Sequence, residues 1–173
     1  MNRLNIESNV KSDTKGVIYN LLLFIISWLL QLGLNLKPTS SIFWNFPLLV
    51  IVYNTISFNW LYNLLLSICS GIIFDVFSGA IWGTYLITFL LTWISGYILS
   101  NIFEKNSLLS IFVIGESQII VFFASLIIIQ IITHSYFYWA NYLLSFFCNA
   151  LLFAGVVYLL LRTSGYSKKN NLL

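Results

Sequence analysis

The chain carries very little charge. Only 8% of its 173 residues are Asp, Glu, Lys or Arg, whereas soluble domains carry about 25%. Apolar residues make up 60% of the chain, and the mean hydropathy is +0.92. A water-soluble fold could not bury so much apolar surface. The composition therefore excludes a soluble domain and predicts an integral membrane protein.

Residues that could carry chemistry are also scarce. Cys69 and Cys148 are the two cysteines, and both lie inside apolar runs without a CxxC or Cys/His cluster, which disfavours disulfide and metal sites. The Walker A, GxSxG, HExxH and GxGxxG patterns are missing from the sequence. We therefore expect no catalytic, cofactor-binding or metal site, and no enzymatic activity. The basic residues form no continuous face, so nucleic-acid binding is not expected either.

Six apolar segments follow one another along the chain, and they predict an all-α polytopic membrane protein with six transmembrane helices. The second segment is short and contains Pro47, where we expect a helix kink. No small-residue cleavage site follows the first segment, so an uncleaved first helix is predicted. The predicted parts are a polar tail (1–16), one transmembrane domain (17–162) and a second polar tail (163–173), with segments at 17–36, 42–58, 60–77, 80–102, 107–133 and 139–162.

The distribution of basic residues predicts the topology. If the chain crosses the membrane six times from a cytoplasmic N-terminus, Lys37 is the only one of the eight basic residues outside. This arrangement obeys the positive-inside rule, whereas five spans would place the basic C-terminal end on the wrong side. We therefore predict a bacterial inner-membrane protein with both termini in the cytoplasm. The residues then on the cytoplasmic side are Arg3, Lys11, Lys15, Lys105, Arg162, Lys168 and Lys169.

Two acidic residues fall inside the predicted spans, where a charge is costly. Segments two to five contain no Lys or Arg, so neither acid has an obvious ionic partner. Glu116, followed by Ser117 and Gln118, is expected in a polar cluster that faces the bundle interior. Asn149 in the sixth segment is expected at a helix contact.

Asp75 lies in the stretch GIIFDVFSGAIWG, residues 71–83. Gly71 is four residues before it on the same helix face, and a small residue there lets helices approach closely in lipid. Ser78 and Gly79 predict a turn, in which Gly79 is free to adopt a positive φ. Gly83 is expected to be the first residue of the fourth helix. Because it has no side chain, it is also expected to let the end of the third helix pack closely against it.

Three roles for Asp75 remain open from the residues alone. Its carboxylate can accept hydrogen bonds from N–H groups at the start of the fourth helix, where the helix dipole also favours an anion. It can instead be a solvated acid at the membrane interface, or it can carry protons or react.

The stretches FPLLVIVY (46–53) and SGIIFDVFSGAIWGTYLITFLLTWISGYI (70–98) resemble the rod-shape-determining membrane protein MreD family. The shared features are a segment led by Pro47, the Gly71–Asp75 step, the Ser78–Gly79 turn, and a helix that closes on Gly96 and Tyr97. The resemblance covers about a third of the chain. At Trp82 the chain departs from the proline or small residue that the family pattern leads one to expect.

The resemblance implies a non-enzymatic scaffold of the bacterial cell-elongation machinery, which makes the lateral peptidoglycan of rod-shaped cells. Its expected partner is an MreC-like bitopic membrane protein. Through that partner it would be linked to the actin-like MreB filament and to the elongation glycosyltransferase and transpeptidase. The family also looks like the substrate-binding S-component of energy-coupling-factor transporters in fold.

Two other functions stay open at this point. One is a vitamin-binding S subunit of such a transporter, with Asp75, Trp82 and Tyr85 near an outer cavity. Against it, the first segment has no alanine. The resemblance implies that S subunits carry an alanine-xxx-alanine stripe on their first helix, where the energising subunit docks. The other is an intramembrane enzyme that uses Asp75 and Glu116 as a carboxylate pair, a chemistry that requires the two groups within about 9.5 Å.

Overall fold

The computed structural model describes residues 3–35, 45–57, 60–78, 81–103, 108–133 and 139–163. All regular secondary structure in these ranges is helical, in six helices. The all-helical class that the sequence predicted is thus confirmed. The helices are α1 (Arg3–Asn35), α2 (Phe46–Ser57), α3 (Trp60–Ser78), α4 (Thr84–Ile102), α5 (Leu108–Ile132) and α6 (Trp139–Thr163).

Three helices in the described part are long and apolar enough to cross a membrane: α3, α4 and the 109–132 stretch of α5. In α1 and α6 the parts whose side chains the structure describes, Val17–Gly33 and Ala140–Val156, are also apolar. The α1 helix begins at Arg3 rather than at the start of the apolar run, because the polar residues before Val17 contain no proline to interrupt it.

The shortest helix, α2, occupies the middle of the bundle. Its 12 residues are about 18 Å long at 1.5 Å per residue, less than the roughly 30 Å of hydrocarbon in a bilayer. It packs against α1, α3, α4 and α5, and Leu48, Ile51 and Val52 are completely buried. The bundle is therefore built around a helix that is shorter than a membrane span.

Pro47 does not kink α2, and that expectation was wrong. It is the second residue of the helix, within the first turn, where proline's fixed φ suits the helix and its missing N–H costs no hydrogen bond. Pro47 therefore helps to start α2.

Aromatic side chains connect five helices through the core. Trp28 of α1 contacts Phe74 of α3 with ring centroids 4.8 Å apart, and Phe74 stacks on Phe89 of α4 at 5.6 Å. Phe89 meets Phe122 of α5 edge-on at 5.0 Å. The contacts then continue through Phe123 to Phe146 of α6. Offset and edge-to-face pairs of this kind add to the packing energy of the buried rings.

The α3 and α4 helices pack closely because Gly71 has no side chain. A Cβ atom at Gly71 would overlap the backbone of Leu86, so only glycine permits this separation. Close backbone approach at small residues is a main source of helix association in lipid. The role that the sequence suggested for Gly71 is therefore the one the structure shows.

We predict that Gly71→Ala destabilises the protein. The added methyl group must push α4 away from α3, and overpacking of this kind costs about 1–3 kcal/mol. The measurement is the free energy of unfolding in mixed detergent micelles. Gly155→Ala is the matched control, because a Cβ there meets nothing within 4 Å. Equal stabilities for the two variants would show that the α3–α4 separation is not set by Gly71.

Candidate functional site

Asp75 lies in the last turn of α3 and is only 4% exposed. Its carboxylate accepts three backbone hydrogen bonds from the start of α4. Oδ2 accepts from the N–H groups of Gly83 at 3.0 Å and Leu86 at 3.2 Å, and Oδ1 accepts from Tyr85 at 2.8 Å. These are the hydrogen bonds that the sequence predicted from the start of the fourth helix.

The physical reason is the unsatisfied first turn of α4. The first N–H groups of a helix have no acceptor within the helix, and a buried helix start needs a partner for them from elsewhere in the protein. Asp75 accepts from two of them and from Gly83, while the Thr84 N–H donates to the Ile81 carbonyl oxygen at 3.1 Å. The positive end of the helix dipole stabilises the carboxylate in turn. Both carboxylate oxygens are thus engaged in holding the turn.

Gly83 has a different role from the one expected. It is the residue before α4 and adopts φ 93°, in the left-handed region. A Cβ at this position would meet no atom within 4 Å, so the expectation that Gly83 admits the end of α3 by its small size was wrong. Glycine is needed for its backbone conformation. Ser78 is the exposed last residue of α3, and Gly79 lies outside the described residues.

The aromatic residues around the turn point in different directions. Tyr85 is buried and stacks on Phe74 at 5.2 Å. Trp82, by contrast, is 78% exposed and does not line an interior surface. Further along this side of the bundle, Gln130 of α5 donates a hydrogen bond to the hydroxyl of Tyr142 in α6.

A second polar cluster joins four helices in the interior. The Thr55 hydroxyl of α2 accepts from Asn63 Nδ2 of α3 at 2.7 Å and from Gln118 Nε2 of α5 at 3.0 Å. Gln118 also donates to the Thr92 carbonyl oxygen of α4 at 3.2 Å. A Cβ at Gly96 would overlap the Gln118 amide, so Gly96 provides the space through which this side chain reaches α2. This cluster therefore fixes the mutual positions of α2 to α5.

Glu116 does not belong to the interior cluster, contrary to expectation. It is two residues from Gln118, which rotates it about 200° around α5. Gln118 is completely buried, while Glu116 and Ser117 are half-buried. Glu116 has no hydrogen-bond or ion-pair partner among the described residues.

Asp75 and Glu116 also do not form a carboxylate pair. Asp75 is level with Tyr85, whereas Gln118, two residues beyond Glu116 on α5, is level with Thr92. These positions on α4 are seven residues apart, or about 10 Å along the axis. The antiparallel course of α5 places Glu116 further still from Asp75. The separation exceeds the roughly 9.5 Å that glycosidase-type chemistry requires.

A third polar cluster surrounds the start of α2. The N–H of Asn45 donates to Asn149 Oδ1 of α6 at 3.0 Å, and the N–H of Phe46 donates to Gln31 Oε1 of α1 at 3.2 Å. Asn45 Oδ1 accepts from the N–H of Leu48 at 3.0 Å, as in a regular N-cap. Asn149 thus lies at a helix contact, as expected. Gln31 and Asn45 were missed, although Asn45 two residues before a proline is an N-cap signal.

Within the described ranges, no group of three or more His, Cys, Asp and Glu side chains could hold a metal ion. Comparison with protein-family models, with curated proteins and with solved structures finds no match to the chain.

We predict that Asp75→Asn lowers the free energy of unfolding by about 1.5–3 kcal/mol. Asparagine keeps one acceptor oxygen but places an NH2 group against backbone donors, and hydrogen bonds to a charged group contribute about this much. Glu116→Gln is the matched acid-to-amide control, expected within about 0.5 kcal/mol of the wild type. Unfolding in mixed micelles measures both. A neutral effect of Asp75→Asn would contradict the role assigned to the carboxylate.

We predict that Gly83→Ala destabilises the protein by about 1–2 kcal/mol, because an L side chain is strained in the left-handed region. Gly83→Asn should cost less, since asparagine tolerates this conformation. Thermal unfolding of the two variants beside the wild type tests the order. If both unfold at the wild-type temperature, the positive φ is not required for the turn.

Proposed function

We propose that the chain is a non-enzymatic scaffold of the bacterial cell-elongation machinery, of the MreD kind. It crosses the inner membrane six times, with both termini in the cytoplasm. The observation that carries the proposal is the engagement of Asp75. The acid of the family-like motif has both oxygens in backbone hydrogen bonds, so it serves the rigidity of the α3–α4 pair rather than chemistry.

Other residues of the motif support the same role. Gly71 allows α3 and α4 to touch, Gly83 allows the turn, and Gly96 admits Gln118. Gly71 and Gly83 therefore shape the α3–α4 pair, and Gly96 allows the contact of α5 with α2. A scaffold depends on such a fixed shape because it presents the same surface to each partner.

The partner is an MreC-like bitopic protein, whose single span packs against the lipid-facing side of α3 and α4. Large apolar side chains are exposed there, including Leu65, Val76, Ile87 and Ile94. Through this partner the chain is linked to the MreB filament and to the glycosyltransferase and transpeptidase of lateral wall synthesis.

The proposal is tested by purifying the tagged protein in mild detergent from its native cells and identifying copurified proteins by mass spectrometry. A bitopic partner with a coiled-coil domain outside the membrane is expected. Gly71→Leu, which forces α3 and α4 apart, should lose this partner more completely than Asp75→Asn, which weakens only the turn. Gly155→Leu, at an open position, is the control.

Two outcomes would contradict the proposal. A C-terminal tag that is accessible from the cell exterior would overturn the six-span topology. A vitamin bound stoichiometrically to the purified protein would instead support the transporter S subunit.

A further inference from the structure

Three aromatic side chains form a cluster where α3 begins. Trp60 is the first residue of α3, and its ring centroid lies 6.3 Å from that of Trp93 and 6.0 Å from that of Tyr97, both in α4. Trp93 and Tyr97 stack with their centroids 5.9 Å apart. Each ring of this aromatic cluster is therefore a neighbour of the other two.

The aromatic cluster lies on the outside of the bundle. Trp60 is 53% exposed and Tyr97 is 42% exposed, while Trp93 is half-buried. By contrast, the stacked rings of the core, such as Phe74 and Phe89, are at most 2% exposed. The cluster therefore offers ring surface to a molecule that approaches from outside.

The indole of Trp93 is held in one orientation by its neighbours. A tryptophan at a membrane interface usually directs its N–H group towards the polar side. Here Trp93 Nε1 donates instead to the carbonyl oxygen of Trp60 at 3.1 Å, and the ring stacks on Tyr97. An indole has no other donor, so Trp93 can offer a ligand only its π system.

The chemistry of the rings selects a cation. The negative face of an aromatic ring attracts a Lys or Arg side chain that lies within about 6 Å of the ring centroid, and tryptophan does so best. Residues 42–104 contain no Lys or Arg, so the two helices that carry the cluster bring no cation to it. The cluster therefore suits an ammonium or guanidinium group from another segment or another protein.

The position of the cluster along the helices corresponds to a membrane interface. Tyr97 is five residues before the end of α4, or about 7.5 Å along its axis, and Trp60 begins α3. The turn held by Asp75 joins the opposite ends of the same two helices. In the proposed topology the cluster is at the cytoplasmic end, where Lys and Arg flank transmembrane helices.

The cluster adjoins the face of α3 and α4 that the proposed partner covers. Tyr97 is three residues after Ile94 on α4, so the two residues lie on nearly the same side of the helix. Both are 42% exposed. A single span that packs along Ile94 would therefore bring its cytoplasmic end to the aromatic cluster.

We propose that the aromatic cluster binds a Lys or Arg side chain at the cytoplasmic end of the partner's transmembrane helix. The cation lies over the exposed rings, while the apolar part of the same helix packs along α3 and α4. The contact fixes the depth and the direction of the partner's span, because the rings are at one end of the helix pair. This inference rests on the proposed scaffold function and adds the chemistry by which the partner is recognised.

The test measures how much bitopic partner copurifies with the full-length protein in mild detergent. Tyr97→Leu removes one ring and should lower partner retention about fivefold, the effect of one exposed cation–π contact. Tyr97→Phe keeps the ring and should retain the partner like the wild type. Trp82→Leu, at the 78% exposed tryptophan near the opposite end of the pair, is the control and should change nothing. A loss in Tyr97→Phe equal to that in Tyr97→Leu would assign the contact to the hydroxyl group and overturn the proposal.

The partner provides the second half of the test. Gln in place of the Lys and Arg residues at the cytoplasmic end of its span should lower retention by the wild-type protein. Tyr97→Leu should add no further loss in that background, because both changes remove the same contact. If Tyr97→Leu loses the partner but the Gln replacements do not, the rings serve apolar packing or a lipid amine, and the proposal is wrong.

Three outcomes separate this proposal from the scaffold function. Full retention by Tyr97→Leu would overturn the role of the rings and leave the scaffold function in place. A wild-type protein that recovers no bitopic partner would overturn both. Lys105 lies outside the described residues, and Lys105→Gln should leave partner retention unchanged. A loss in Lys105→Gln equal to that in Tyr97→Leu would assign the rings to this chain's own lysine and overturn the proposal.

Discussion

The first turn of a buried helix carries N–H groups that neither the helix nor water can satisfy. In this protein two buried helix starts meet that constraint with side chains from other segments. Asp75 of α3 accepts from the start of α4, while Gln31 of α1 and Asn149 of α6 accept from the start of α2 and its N-cap. The need to satisfy a few backbone donors therefore determines which helices must be neighbours.

Close packing then completes the arrangement. Gly71 brings α3 against α4, and Gly96 lets Gln118 reach Thr55 in the central helix. The aromatic contacts from Trp28 to Phe146 join the remaining helices to this pair. These contacts involve glycines, neutral polar groups and aromatic rings, so the bundle is held by close packing and hydrogen bonds rather than by ion pairs between the described residues.

The two acids of the predicted spans differ in how they meet this constraint. Asp75 is buried and engaged by backbone donors, so it contributes shape to the α3–α4 pair on which the proposed scaffold depends. Glu116 is half-buried, on a different face of α5 from the buried Gln118. It has no hydrogen-bond or ion-pair partner among the described residues. At the start of α2 the acceptors are the neutral amide oxygens of Gln31 and Asn149.

The sequence alone determined the helical class and the approximate extent of the apolar helices, because these depend on composition and on periodicity. For Asp75 it offered hydrogen bonding to the start of the fourth helix as one of three roles, and the structure decided between them. It could not show that α2 is central or that Gln118 and Glu116 face different surroundings. It also could not show that Gly83 is needed for its positive φ rather than for its small size. Gln31 and Asn45 are far from Asn149 along the chain, and their contact exists only after α1, α2 and α6 have packed. Periodicity identifies the face on which a residue lies, but only tertiary packing decides what that face contacts.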